Sequence, residues 1–223
     1  FSATASLMSP VRRGFSGYIF DLDGTLVDSF GAIAASVNEV RAHHGVAPLS
    51  VDEVRAKVGH GLEYLLDKTV PGLDLREDPE LYREHHARTF LAGTRLLPGA
   101  ATALAALAQR GAKLALASNK PRLFSERILA HFAVRELFDL ILGPESVPCR
   151  KPAPDMLEMA IARWKLPRES VLYVGDMSID VETARGAGLK VCILDSGTQS
   201  RDVLEAARPD YIIERLDDLP AIV

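Results

Sequence analysis

From Leu97 onward, short apolar runs alternate with helical stretches, and this alternation constrains the fold more than any single residue does. Lys113–Ala117, Leu140–Leu142, Val171–Val174, Val191–Leu194 and Tyr211–Ile213 read as strands. Ala100–Gln109, Pro121–Phe132, Asp155–Trp164, Ile179–Ala187 and Arg201–Ala207 read as the helices between and around them. With Tyr18-Ile19-Phe20 as a further buried strand, the βαβ order predicts an α/β fold: a Rossmann-like parallel sheet flanked by helices on both faces.

One block breaks the alternation. Ile33, Val37, Val40 and Arg41 mark an amphipathic helix that ends near Gly45, and Ser50-Val51-Asp52-Glu53 is a capping-box sequence opening the next. That helix stops at Val58-Gly59-His60-Gly61. Leu62–Thr69 follows, then a Pro71-Gly72 turn and a longer helix opened by Pro79. The expected division is an α/β core domain from residues 1–28 and 97–223 and an inserted all-helical cap domain over 29–96, long enough to act as a lid. Residues 1–14 read as a tail or tag: Ser/Ala-rich, without acids, with Arg12-Arg13, and no apolar core of a signal peptide.

At 223 residues, 48% hydrophobic and 25% charged, the chain is in the globular range. No apolar run is long enough to span a bilayer. The formal charge of −4 and the lack of a Lys/Arg-rich run beyond Arg12-Arg13 argue against a nucleic-acid partner. Cys149 and Cys192 stand alone, as expected of reduced thiols in a cytoplasmic protein. The pairs His43-His44 and His85-His86 read as solvated helix faces, and Trp164 as core beside Leu157, Ala160 and Ile161.

In an open parallel sheet, ligands sit beyond the C-terminal ends of the strands. Asp21 and Asp23 leave the first strand, Ser118 and Asn119 a second, and Gly175-Asp176 a later one, while Lys151 follows Leu140–Leu142 after a loop. Phe20-Asp21-Leu22-Asp23-Gly24-Thr25-Leu26-Val27-Asp28-Ser29 resembles the first motif of the haloacid dehalogenase superfamily. Leu116-Ala117-Ser118-Asn119-Lys120 resembles the second motif, Arg150-Lys151-Pro152 the third, and Tyr173-Val174-Gly175-Asp176-Met177-Ser178-Ile179-Asp180 the fourth.

The resemblance implies a nucleophile at Asp21, a general acid/base at Asp23, and Ser118 and Lys151 as further catalytic groups on the phosphoryl oxygens. It places Leu22, Asp23, Thr25, Ser118, Asn119 and Lys151 against phosphate, with Thr25 also bonding locally within its turn. Asp21, the Asp23 carbonyl and Asp176 would hold Mg²⁺, supported by Asp180. A phosphoester fits this set, because its attack requires a nucleophile, positive charge and a proton donor together.

Within the superfamily the chain is most similar to the phosphoglycolate phosphatases. That implies hydrolysis of 2-phosphoglycolate through an aspartyl-phosphate, with Arg55 or His60 of the cap meeting the substrate carboxylate and Gly59 and Gly61 approaching it closely. Pyrophosphate, nucleotide and sugar-phosphate hydrolysis share the same motifs and remain alternatives. A phosphate-responsive interaction protein without turnover is the reading from another class. The expected partner is a small-molecule phosphoester, acted on by a monomer or homodimer.

Overall fold

The structure, a computed structural model, describes residues 14–222; the predicted tail therefore lies, Gly14 apart, outside the described residues. Strand β1 (Gly17–Phe20) is buried throughout, and its alternation divides it between two apolar layers. Tyr18 and Phe20 enter one layer and Ile19 the other. A two-residue strand β2 (Val27–Asp28) then leads into four helices, α1 (Phe30–His43), α2 (Val51–Arg55), α3 (Leu62–Thr69) and α4 (Asp78–Thr89). Strand β3 (Arg95–Leu96) returns antiparallel to β2, pairing Val27 with Leu96 and Asp28 with Arg95, so the chain enters and leaves the helical insertion side by side.

The rest follows the expected alternation: α5 (Ala100–Gln109), β4 (Lys113–Ala117), α6 (Arg122–His131), β5 (Leu140–Leu142), α7 (Asp155–Trp164), β6 (Val171–Gly175), α8 (Ser178–Gly186), β7 (Lys190–Leu194), α9 (Arg201–Ala206) and β8 (Tyr211–Ile213). These strands and β1 form a six-stranded parallel sheet in the order β5-β4-β1-β6-β7-β8. Ala103, Leu104 and Leu107 of α5 and Ile128 and Leu129 of α6 pack in the layer holding Phe20. Met156, Leu157 and Ala160 of α7, Val181 and Ala184 of α8 and Leu204 of α9 cover the opposite face. Each fully buried Leu, Ile or Phe contributes roughly 1.5–3 kcal/mol of hydrophobic stabilisation, so both helical layers are needed to cover a sheet apolar on both sides.

The helical insertion has its own apolar cluster, with Phe30, Ile33, Val37, Val40, Val54, Leu65, Leu66 and Tyr82 at its centre. The capping box forms: the Glu53 N–H donates to Ser50 Oγ, and the Ser50 N–H donates to the Glu53 carboxylate. One histidine of each pair departs from the solvated face expected of it, while His43 is exposed as expected. His86 is 3% exposed, stacked on Tyr82 and edge-on to Phe124, because α4 turns that side toward the sheet unit. His44 Nε2 lies 2.8 Å from the buried Asp78 carboxylate. Among the described residues, no helix is long and apolar enough to cross a membrane.

Candidate active site

β1 sits where the sheet order reverses: the chain runs outward through β4 and β5, then crosses back to β6 on β1's other side. The crevice at such a switch point opens at the C-terminal strand ends, where a ligand is met by loops from both halves. The Asp21 N–H continues the ladder by donating to Val174 O at 2.9 Å, which fixes Asp21 at the lip of the crevice. The following turn is gathered on one carbonyl, since Leu22 O accepts from the N–H groups of Thr25, Leu26 and Val27. The Leu22 side chain is in the core, so only its backbone is placed to meet a ligand. Gly24 has φ +85°, and a Cβ there would lie 2.1 Å from Asp176 Oδ2; the turn and the approach of Asp176 both require glycine.

Asp21, Asp176 and Asp180 each present a carboxylate oxygen within 4.8 Å of the others. Asp180 is fully engaged: Oδ2 accepts the Asp176 and Met177 N–H groups, and Oδ1 accepts Lys151 Nζ at 2.8 Å and the Tyr173 hydroxyl at 2.9 Å. It holds the cluster together and has no oxygen to spare. By contrast, Asp21 Oδ1 and Asp176 Oδ2 are buried without a hydrogen-bond partner. Buried carboxylate oxygens are rarely left so, and a divalent cation between them would satisfy both.

Charge follows this geometry. Burial, then Asp180, push the Asp21 carboxyl up to about 6 against the opposing pull of Lys151. Burial, Asp180 and Asp21 raise Asp176 well above the usual carboxylate range. Burial alone would lower the Lys151 ammonium, but Asp180 and Asp21 outweigh it and hold the group firmly charged. Lys151 Nζ is 3.0 Å from Asp21 Oδ2 and donates to the Tyr173 hydroxyl at 3.0 Å. Ser118, 3% exposed, follows β4 beside these groups, and its hydroxyl accepts the Lys120 N–H at 3.3 Å.

Asp23 turns toward the helical insertion. The Ser29 hydroxyl donates to its Oδ1, and Lys120 Nζ lies 3.2 Å from both its oxygens. A cleft begins here, with about 90 Å³ open to the centre of a water molecule, room for several waters or one small ligand. Asp21, Asp23, Ser118 and Lys151 line its floor, and Ile33, Leu65, Tyr82, Arg83 and His86 its roof.

Several expected contacts fall elsewhere. Thr25 is fully buried; its N–H bonds within its own turn, to Leu22 O, while its side chain faces away from the phosphate side, Oγ1 donating to Asp176 Oδ1 at 2.6 Å. The Asn119 amide is taken up by backbone, donating to Gly59 O at 2.9 Å and Lys151 O at 3.0 Å while accepting the Lys151 N–H. Its side chain ties two loops together, and the residue still lines the cleft. Arg55 pairs with Asp52 and covers the Phe30 ring, and His60 is exposed against Tyr64; neither lines the cleft. Gly59 and Gly61 do line the cleft, and their bare backbones also admit Met177 and Arg150, on which a Cβ would impinge at 3.0 and 2.7 Å.

Sequence reasoning assigned no role to Lys120, Tyr173, Arg83 or His86. A signal existed for two of them. Ser118 and Lys120 are two apart at a strand exit, which favours one side for both, and a Tyr in an otherwise apolar buried strand needs a partner for its hydroxyl.

An acid pair, a lysine and two orphaned carboxylate oxygens thus meet at a parallel-sheet switch point. The family model for haloacid dehalogenase-like hydrolases matches residues 18–194, and the chain belongs to that family. A phosphoglycolate phosphatase of Cereibacter sphaeroides is 36% identical over 214 residues, covering 93% of this chain and 97% of that protein. One from Rhodobacter capsulatus is 40% identical over 189 residues, covering 80% and 84%. Among solved structures, one described as a predicted phosphoglycolate phosphatase from Haemophilus somnus superposes with a TM-score of 0.86 at 28% identity, covering 93% of this chain and 97% of that one.

Proposed function

We propose that the protein is a Mg²⁺-dependent phosphatase that hydrolyses 2-phosphoglycolate through an aspartyl-phosphate at Asp21. The observation that carries this reading is the unpartnered pair of buried oxygens, Asp21 Oδ1 and Asp176 Oδ2, beside a charged Lys151 and an open cleft. The names of the similar proteins favour 2-phosphoglycolate over other esters.

Asp21 attacks phosphorus in line; its oxygen–phosphorus bond forms as the bond to the leaving oxygen breaks, and Asp23 delivers a proton to that oxygen. Asp23 then takes a proton from water, which attacks phosphorus, breaks the Asp21–phosphorus bond and restores the free carboxylate. Lys151 offsets the negative charge of the nucleophile and of the phosphoryl oxygens, and Ser118 donates a hydrogen bond to them. The donor set of hard oxygens suits Mg²⁺, with Asp21, Asp176 and the Asp23 carbonyl the residues that would hold it; when bound it supplies positive charge where the phosphate's repulsion would be greatest.

Residues 29–96 form a cap that closes on a core of 1–28 and 97–223. The Asn119–Gly59 bond and the Arg150–Glu63 ion pair, at 2.9 Å each, are contacts that opening would break. The protein acts in the cytoplasm on a small-molecule ester, as a monomer or homodimer and without a nucleic-acid partner.

Phosphate release from a panel including 2-phosphoglycolate, pyrophosphate, a nucleoside monophosphate and a sugar phosphate, with Mg²⁺ and with chelator, tests this reading. Metal-dependent release led by 2-phosphoglycolate is expected. Release led by another ester replaces the substrate, and release from none favours a binding protein without turnover.

A further inference from the structure

Lys120 carries a buried ammonium that the reaction at Asp21 does not use. Its side chain is 6% exposed and its Nζ touches both oxygens of Asp23. Holding a charge in such surroundings is costly, and the walls give it no relief: Phe124, Tyr82, Ile33 and Leu65 line the same cleft. His86 lines it too, and burial together with the Lys120 charge pushes that imidazole down to about 3, so it stays neutral. The other cations near the cleft are committed. Lys151 pairs with Asp21 and Asp180, and Arg83, 43% exposed, pairs with Glu80 and Glu63 at the surface.

We propose that Lys120 is the specificity-determining residue that receives the anionic group of the leaving alcohol, taking as substrate class the phosphate esters of 2-hydroxy acids. The inference rests on the phosphatase reading and deepens it. Asp23 serves the leaving oxygen, so that oxygen must come to the Asp23 carboxylate. In 2-phosphoglycolate one methylene separates it from the carboxylate, and an anion so placed falls beside the ammonium that touches Asp23. Apolar walls lower the local dielectric and strengthen the pairing, and the flexible lysine stem lets one ammonium contact both carboxylates. An ester whose leaving group is neutral at this position leaves Lys120 with Asp23 alone.

The test compares 2-phosphoglycolate with ethyl phosphate, which keeps the CH₂–O–P unit and replaces the carboxylate by methyl. Wild type, Lys120→Met and Lys120→Arg are assayed on both with Mg²⁺, and Lys120→Gln is made in parallel should the Met variant fail to fold. Wild type is expected to favour 2-phosphoglycolate. Removing the charge should reduce kcat/KM on 2-phosphoglycolate about 10- to 100-fold beyond its effect on ethyl phosphate, mainly through KM, as expected for a lost charge-assisted contact to substrate. Lys120→Arg should restore most of the preference. Equal losses on both esters would overturn the proposal and leave Lys120 as a support for Asp23. A wild type with no preference for the acidic ester, or active only on other esters, would overturn it while the phosphatase reading stands. No hydrolysis of any ester would overturn both.

Discussion

Replacing Thr25 with valine deletes one hydroxyl from a site where nothing else need move. Thr25 Oγ1 donates to Asp176 Oδ1 at 2.6 Å, and both residues are buried. Burial, Asp180 and Asp21 already make Asp176 hard to ionise; the Thr25 hydroxyl, which donates to it, pulls the other way. Without Thr25 the carboxylate is harder still to ionise, and a metal needs it ionised. A hydrogen bond to a charged group is worth about 1.5–3 kcal/mol, or roughly 10- to 100-fold in metal affinity. The assay is activity against Mg²⁺ concentration at saturating substrate, beside calorimetric titration of Mg²⁺ into the resting protein. The variant should need about 10- to 100-fold more Mg²⁺ yet approach wild-type kcat and KM once metal saturates. Unchanged Mg²⁺ affinity with a raised KM would refute the reasoning and return Thr25 to the phosphate.

Two further outcomes are expected. His86 is held neutral down to about pH 3, whereas in the unfolded chain it binds a proton below about 6.5, so stability is complete above that value and falls as pH drops toward 3. Urea melts between pH 7.5 and 4.5 should show this slope, up to about 1.4 kcal/mol per pH unit, and His86→Phe should flatten it; an unchanged slope would place the proton elsewhere. Asn119→Ala removes three backbone contacts joining the Gly59 and Lys151 loops, and should lower stability by about 1–3 kcal/mol in denaturant melts and slow turnover. Full stability and turnover would mean that those loops are held by other contacts.

The sheet strands β1 and β4–β8 were legible because each is a buried apolar run between helices, and the helices because their apolar spacing is local. Strands β2 and β3 were not: two residues carry no alternation, and they exist because Val27 and Leu96 meet where the insertion begins and ends. The strand exits announced Asp21, Asp23, Ser118 and Asp176. What those side chains touch was hidden, since Thr25 meets Asp176 across 151 positions and Lys120 meets Asp23 across 97. His86 shows the same limit in the insertion: its own helix reads as polar, and part of what surrounds it, Ser36 of α1 and Phe124 of the sheet unit, is remote in sequence. Arg55 and His60 looked suited to a substrate carboxylate because both carry nitrogen donors near glycines, yet neither lines the cleft.

The account stands on Asp21 as a covalent nucleophile, and peptide mass spectrometry after acid quench tests this most directly. Protein mixed with Mg²⁺ and its best ester, quenched within the first turnovers and digested, should carry one phosphoryl group on the peptide containing Asp21. The adduct should be lost at alkaline pH and absent from Asp21→Asn. Turnover by wild type with no such adduct at any quench time, or turnover retained by Asp21→Asn, would contradict the account.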